Sequence, residues 1–275
     1  MASVGDAPVR HPRLVATDLD GTLLRSDGVI SPRTSAALRA AESAGIGIVF
    51  VTARPPRWLD PLADAVGGDG TVICANGAFD YDVRTRTVLA SYPLDRALLL
   101  EIVADLRAAV PGIGFSAELS DGVHTEPNYP ELHRRWVPVD LVPAPIEDLP
   151  ADALVGKLLA RTEGLPEDEV IPRVAEVLGD RALVQHSGTG GLAEISAPGV
   201  TKAAGLVRWC ARTGIHPADV WAFGDMPNDV PMLEWAGVGW AVANAHPDAR
   251  AAASRTCASN DEDGVARTLE WALRL

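Results

Sequence analysis

Leu14-Val15-Ala16-Thr17 runs without polar alternation, the pattern of a strand buried on both faces of a parallel sheet. After a loop, Ser31-Pro32 sets an N-capping side chain before a proline at the first helical position. This predicts a helix that turns Ala37, Leu38 and Ala41 inward and stops at Gly45. Ile46 to Val51 is a second buried strand, and Val72 to Ala75 a third that ends at Asn76-Gly77. The pattern then changes. Tyr81 to Leu89 predicts a hairpin, and Asp95 to Ala109 an amphipathic helix with Leu98, Ile102, Leu106 and Ala109 on one stripe. Proline is dense from Glu126 to Pro150, which predicts irregular chain over at least part of that stretch. Leu154 to Ala160 is a strand, Glu167 to Leu178 a helix, and Ala182 to Gln185 with Leu192 to Ser196 a hairpin around Ser187-Gly188-Thr189-Gly190-Gly191. The strand–helix rhythm returns near Gly199. A helix runs from Lys202 to Arg212 and ends at Gly214, strands follow at Val220 to Phe223 and Val238 to Ala243, and a last helix spans about Gly264 to Leu273.

These elements predict an α/β fold: a Rossmann-like, doubly wound parallel sheet formed by residues 1–82 and 197–275, interrupted by an α+β cap domain with antiparallel strands at 83–196. Ligands in such sheets bind at the carboxyl ends of the strands, and a cleft between two domains is a usual place for a small-molecule site.

The chain has 275 residues, long enough for two domains, and 47% are hydrophobic, as in a globular protein. Acidic residues outnumber basic ones, 37 to 24. The net charge of −13 argues against nucleic acid and anionic membrane as partners, since their phosphates would meet a like-signed field. No apolar run is long enough to span a bilayer, and the stretch from Met1 to Pro12 lacks the apolar core of a signal peptide, so a cytoplasmic protein is expected. The three cysteines, Cys74, Cys210 and Cys257, are scattered, and neither a disulfide framework nor a zinc site is expected. Only Lys157 and Lys202 are lysines; the rest of the basic residues are arginines. A lysine kept in so arginine-rich a chain marks a place that a planar guanidinium does not fit.

The strand ends carry the chemistry. The first gives Asp18-Leu19-Asp20-Gly21-Thr22, the second Thr52-Ala53-Arg54, the third Asn76-Gly77-Ala78, and a late one Gly224-Asp225 followed by Asn228-Asp229. Lys202 opens the helix after the insert. Crowded carboxylates repel one another, and a hard divalent cation relieves that repulsion. Oxygen ligands without His or Cys favour Mg²⁺, and Mg²⁺ beside a lysine and amide donors favours a phosphate ligand. A carboxylate can attack phosphorus, while a second carboxyl group protonates the leaving alkoxide and later deprotonates water. Asp18 and Asp20 suit that division, and Gly21 lets the chain turn sharply past the phosphate.

Asp18-Leu19-Asp20-Gly21-Thr22-Leu23-Leu24 resembles the first motif of the haloacid dehalogenase superfamily in its aspartate-nucleophile phosphatase form. Thr52-Ala53-Arg54 resembles the second motif, Lys202 after Ala197-Pro198-Gly199-Val200-Thr201 the third, and Gly224-Asp225-Met226-Pro227-Asn228-Asp229 the fourth. Asn76-Gly77-Ala78, Val242-Ala243-Asn244-Ala245 and Ser259-Asn260-Asp261-Glu262-Asp263-Gly264-Val265 look like the Cof-type subfamily IIB, which carries a large α/β cap of the C2 type. The resemblance implies Asp18 as nucleophile and Asp20 as general acid/base. It implies Mg²⁺ held by Asp18, the Asp20 main-chain carbonyl and Asp225, with Asp229 acting through water or indirect contacts. Thr52 would bind a phosphate oxygen, and Leu19, Arg54, Asn76, Gly77 and Asn228 would lie against the substrate. Met226 stands where many relatives carry a small residue.

Each feature alone has a plainer reading. Asp18 and Asp20 alone are a solvated acidic pair, Thr52 a strand-end cap, Lys202 a surface lysine, and Asn76-Gly77 a turn into the insert. His186 and Ser187 read as a hairpin tip and the seven tryptophans as packing. It is the ordered set that points to a site. The expectation is a Mg²⁺-dependent phosphomonoester hydrolase, monomeric or homodimeric, acting on small phosphometabolites such as sugar phosphates or phosphorylated cofactors. The rivals are a phosphosugar mutase or phosphotransferase using the same aspartate, and a phosphometabolite-binding regulator without turnover.

Overall fold

A computed structural model describes residues 11–62, 70–130 and 138–274. The N-terminal stretch expected to lack a signal sequence lies outside these residues, apart from its last two.

The chain opens with β1 (Leu14–Thr17), α1 (Pro32–Ser43), β2 (Gly47–Val51), β3 (Thr71–Cys74) and the hairpin β4 (Phe79–Asp82) and β5 (Thr87–Ser91). Next come α2 (Arg96–Ala109), β6 (Gly114–Leu119), β7 (Val123–Thr125), β8 (Val155–Arg161), α3 (Glu167–Leu178), β9 (Leu183–Gln185) and β10 (Ala193–Ser196). The last third holds α4 (Lys202–Thr213), β11 (Val220–Gly224), α5 (Val230–Trp235), β12 (Val238–Ala241), α6 (Pro247–Ala252), β13 (Arg255–Thr256) and α7 (Gly264–Ala272).

Among the described residues the strands form two sheets. The larger has the order β13-β12-β11-β1-β2-β3-β4-β5, parallel from β13 to β3 and antiparallel at β4 and β5. The smaller, β7-β6-β8-β10-β9, is antiparallel throughout. The expected α/β class with a parallel-dominated sheet is therefore present. The predicted hairpin exists, but it hydrogen-bonds to β3 and widens the larger sheet rather than opening the smaller one.

The larger sheet is covered on both faces. One face packs Val15, Phe50, Val72, Trp221 and Trp240 against α1 and α7; the other packs Leu14, Ala16, Val49 and Ile73 against α4 and α5. This two-sided burial is why β1 carries no polar alternation. Ser31 caps α1 by accepting from the Thr34 amide, as its sequence predicts. The smaller sheet buries Phe115, Ala117, Leu158 and Ile195 under α2 and α3. Of the proline-dense stretch, the described part holds only a short turn of helix at Ile146–Asp148.

Strands β6 and β7 had no predicted counterpart. Along β6, Phe115 and Ala117 enter the hydrophobic core of the smaller sheet, while Ser116 and Glu118 face the larger one. Both faces are buried, but the second is polar because it lines a cavity, so the alternation does not separate core from solvent.

Candidate active site

β1 lies between β11 and β2, with Thr17 in register with both Phe223 and Phe50. The residues that follow these three therefore leave the sheet at one level. Asp18 follows β1, its amide donating to the Phe223 carbonyl at 3.0 Å. Thr52 follows β2, and Asp225 follows β11. Gly21 turns the chain after Asp18 with φ of 77°, and a Cβ there would stand 2.4 Å from an Asp225 carboxylate oxygen, so only glycine fits.

Lys202 is the first residue of α4, capped by Thr201. It is 2% exposed, and its ammonium lies 2.7 Å from Asp18 Oδ1 and 2.7 Å from Asp229 Oδ1. A helix N-terminus disfavours a cation, so these two carboxylates are what hold it there. Burial opposes the ammonium charge, but Asp18 and Asp229 outweigh it and raise the Lys202 pKa. Asp229 Oδ2 accepts from the amides of Asp225 and Met226 at 3.0 Å each. Both oxygens of Asp229 are thus engaged within the protein. Thr22 donates to Asp225 Oδ1 at 2.7 Å.

Asp18, Asp225 and Asp229 are buried, and their carboxylates each offer an oxygen within 4.8 Å of the others. Burial, more than Lys202 offsets, pushes the Asp18 carboxyl well up, and the neighbouring aspartates push it further. Burial and then Asp229 raise Asp225 to about 6. Three carboxylates against one ammonium leave excess buried negative charge. An all-oxygen donor set of this kind fits a small, hard dication, and so fits the expected Mg²⁺.

Asp20 is placed differently. Its side chain is 58% exposed and pairs bidentately with Arg54 at 2.7 and 2.6 Å, apart from the acidic cluster. Asp18, Asp20, Arg54, Lys202 and Asn228 line a cavity of about 280 Å³ between the two sheets. Leu19, Thr52, Asn76 and Gly77 sit behind its walls. Leu19 is wholly buried, and Thr52 accepts the Arg54 amide on Oγ1 at 3.1 Å. Asn76 bridges Asn228 and Glu194, and the Gly77 carbonyl accepts from Arg208 at 2.7 Å. Gly77, with φ of 94°, also passes so close to α4 that a Cβ would meet the Thr201 carbonyl oxygen at 2.3 Å.

The smaller sheet supplies walls that the sequence did not single out, among them Ser116, Glu118, Leu159 and Glu194, and Tyr129 joins them from the chain after β7. Ser187, read as part of a hairpin tip, also lines the cavity and donates to Glu194. Lys157, flagged by the scarcity of lysine, is 4% exposed and lines the cavity too. A signal for Glu194 was available: it is a carboxylate set inside the apolar strand Leu192 to Ile195. Glu118 forms a bidentate pair with Arg57, at 2.9 and 2.8 Å, across the two sheets. No helix among the described residues is long and apolar enough to cross a membrane.

An α/β sheet that gathers an aspartate pair, a buried lysine and further carboxylates at its strand ends, beneath an inserted antiparallel sheet, is the arrangement of a phosphatase. Residues 15–269 match the haloacid dehalogenase-like hydrolases, and the chain belongs to that family. It is 30% identical to a Bacillus subtilis protein, the 5-amino-6-(5-phospho-D-ribitylamino)uracil phosphatase YitU, over 94% of this chain and 97% of that one. It is 29% identical to the pyridoxal phosphate phosphatase YbhA of Escherichia coli, over 93% of this chain and 96% of that one. A solved phosphatase of the haloalkanoate superfamily from Bacteroides thetaiotaomicron shares the fold with a TM-score of 0.80 at 24% identity, covering 95% of each chain.

Proposed function

We propose that the protein hydrolyses phosphate monoesters of small metabolites through a phosphoaspartyl intermediate on Asp18. The observation that carries this reading is the buried Asp18–Lys202–Asp229 arrangement at the floor of a cavity rimmed by Asp20. An Asp18 oxygen attacks phosphorus, the new O–P bond forms, and the ester P–O bond breaks. The leaving oxygen takes its proton from Asp20, which turns from Arg54 to reach it. Asp20 then accepts a proton from water as that water attacks phosphorus and frees Asp18 with inorganic phosphate. Lys202 offsets the charge of Asp18 and of the incoming phosphate throughout.

Asp18, the Asp20 carbonyl and Asp225 would hold Mg²⁺, which supplies further offset of phosphate charge. Asp229 supports this set indirectly, since its oxygens already serve Lys202 and two amides. The smaller sheet acts as a cap that excludes bulk water and selects the leaving group. Trp58, Tyr129 and Leu159 beside charged pairs suit a leaving group with a polar ring.

The test is phosphate release from a panel holding pyridoxal phosphate, 5-amino-6-(5-phospho-D-ribitylamino)uracil and several sugar phosphates. Each is run with Mg²⁺ and with EDTA, beside Asp18→Asn. Metal-dependent release that Asp18→Asn abolishes is expected. Wild-type rates in that variant would refute the role of Asp18. Absence of release from every ester would turn attention to phosphoryl transfer, tested by adding a bisphosphorylated sugar.

A further inference from the structure

A buried ion pair of the smaller sheet, which takes no part in the chemistry above, hydrogen-bonds across to loops of the larger one. Lys157 on β8 and Glu194 on β10 both belong to the smaller sheet, and their side chains are 6% and 2% exposed. The ammonium lies 3.0 Å from Glu194 Oε2 and donates at 2.9 Å to the carbonyl of Ala53, which belongs to the loop after β2. The same Glu194 oxygen accepts from Asn76 Nδ2 at 2.7 Å, in the turn after β3. Asn76 Oδ1 in turn accepts from Asn228 Nδ2 at 3.2 Å, in the loop after β11. Ser187 satisfies the other Glu194 oxygen.

One ion pair in the cap therefore touches the Thr52-Ala53-Arg54 loop directly and the Asn228 loop through Asn76. Asn76 stands at φ of 56°, a left-handed conformation that asparagine adopts at some cost and that its two side-chain contacts help to hold. Taking two charges out of water is costly, so a pair placed here is poor glue compared with leucine. Its geometry offers something leucine does not: directed hydrogen bonds to a carbonyl and an amide of the facing domain. Arginine at 157 would present a planar fork to a narrow, two-acceptor site, which accounts for the second retained lysine.

We propose that Lys157 and Glu194 are positioning residues that, from the smaller sheet, set the loops around Thr52 and Asn228 beside the cavity. This rests on the phosphatase reading for its consequence, but its mechanical part does not.

The variant is Lys157→Met with Glu194→Met, which removes both charges together, leaves no unpaired buried ion and takes away the acceptor of Asn76. Backbone hydrogen exchange by mass spectrometry is compared in wild type and variant. Faster exchange confined to residues 52–54, 75–77 and 226–229, with the strands unchanged, is expected. Unchanged exchange in these loops overturns the proposal, whatever the enzyme does. Calorimetric titration with orthovanadate in Mg²⁺ follows. A stoichiometry near that of wild type with affinity weakened about tenfold is expected, less than the ~100-fold that a 1 Å misplacement can cost at a reacting centre. A full-affinity variant overturns the positioning role, and a lowered stoichiometry at unchanged affinity assigns the pair to folding alone, which also overturns it. Wild type that shows the loop exchange difference but binds no vanadate would leave the mechanical tie standing and refute the phosphatase reading.

Discussion

At the scale of single residues, Lys202 and Asp225 are where burial and charge conflict most. Lys202 is clasped by two carboxylates at 2.7 Å with 2% exposure, so there is room for a point charge and none for a planar fork. Lys202→Arg is expected to lower kcat about 100-fold, the scale of a misplaced group at a reacting centre, with the fold retained. Steady-state kinetics beside a melting curve checks this, and a fully active variant would sink the argument. Asp225 has its carboxyl raised to about 6 from 3.8. The native state then binds more protons than the unfolded chain between roughly pH 4 and 6. Its contribution to the stability of metal-free protein is thus present at low pH and lost as pH rises through about 6. Asp225→Asn, which keeps an oxygen for Thr22, should raise the melting temperature of metal-free protein at pH 7.5 and flatten that pH dependence. Mg²⁺ should raise the wild-type melting temperature more at pH 7.5 than at pH 5, since protons and metal compete, and should do far less in the variant. Equal Mg²⁺ shifts in both proteins would remove Asp225 from the metal site. These core residues were legible in the sequence because strand ends, Gly21 and a lone helix-opening lysine mark them locally. The pairings of Lys157 and Arg57 were not, because Glu194 comes from a neighbouring strand distant in sequence, and Ala53 and Glu118 lie across the boundary between sheets.

At the scale of elements, the sequence was most readable where burial has one period. β1, β2, β11, α1 and α4 lie within a residue or two of their expected bounds, since each shows either an unbroken apolar run or a capped apolar stripe. The short helices α5 and α6 carry too few turns for a stripe to show, and β6 hides its alternation by turning a polar face to a cavity. The tryptophans, read only as packing, have a definite place. Trp221 on β11 stacks on Trp271 of α7 with ring centres 5.8 Å apart, and Trp240 on β12 meets both. This cluster fixes the last helix to the sheet on the side of α1. Trp271→Ala is expected to cost about 3 kcal/mol, near the lower end for a tryptophan truncation because the residue is only partly buried. Denaturant unfolding measures the loss. Activity per folded molecule should be unchanged, because the cluster lies off the cavity, and a drop in kcat at full folding would show that α7 reaches the site.

At the scale of the whole molecule, the question is how closely the cap must sit on the core. The smaller sheet comes close to the larger at Gly156 on β8, beside Lys157. A Cβ there would stand 2.3 Å from Phe79 Cε2 and 2.5 Å from Phe79 Cζ. Phe79 on β4 is itself fully buried, so its ring has nowhere to swing. Gly156→Ala must therefore lift the smaller sheet from the larger by displacing backbone, at a cost of about 1–3 kcal/mol, the range for overpacking a core. The acidic floor, made by residues of the larger sheet alone, would survive. What changes is the fit over the leaving group and the seating of Lys157 against Ala53. Small esters such as a nitrophenyl phosphate, which need little from the cap, should be hydrolysed at rates close to wild type. Esters that fill the cavity should lose most of their advantage, so that the ratio of kcat/KM between the two classes falls toward one. Measuring that ratio in wild type and variant, with a melting curve to confirm folding, reads the cap and the floor separately. A uniform loss across both classes would instead mean that the cap shapes the floor as strongly as it shapes the cavity, and an unchanged ratio would show that substrate selection resides in the larger sheet.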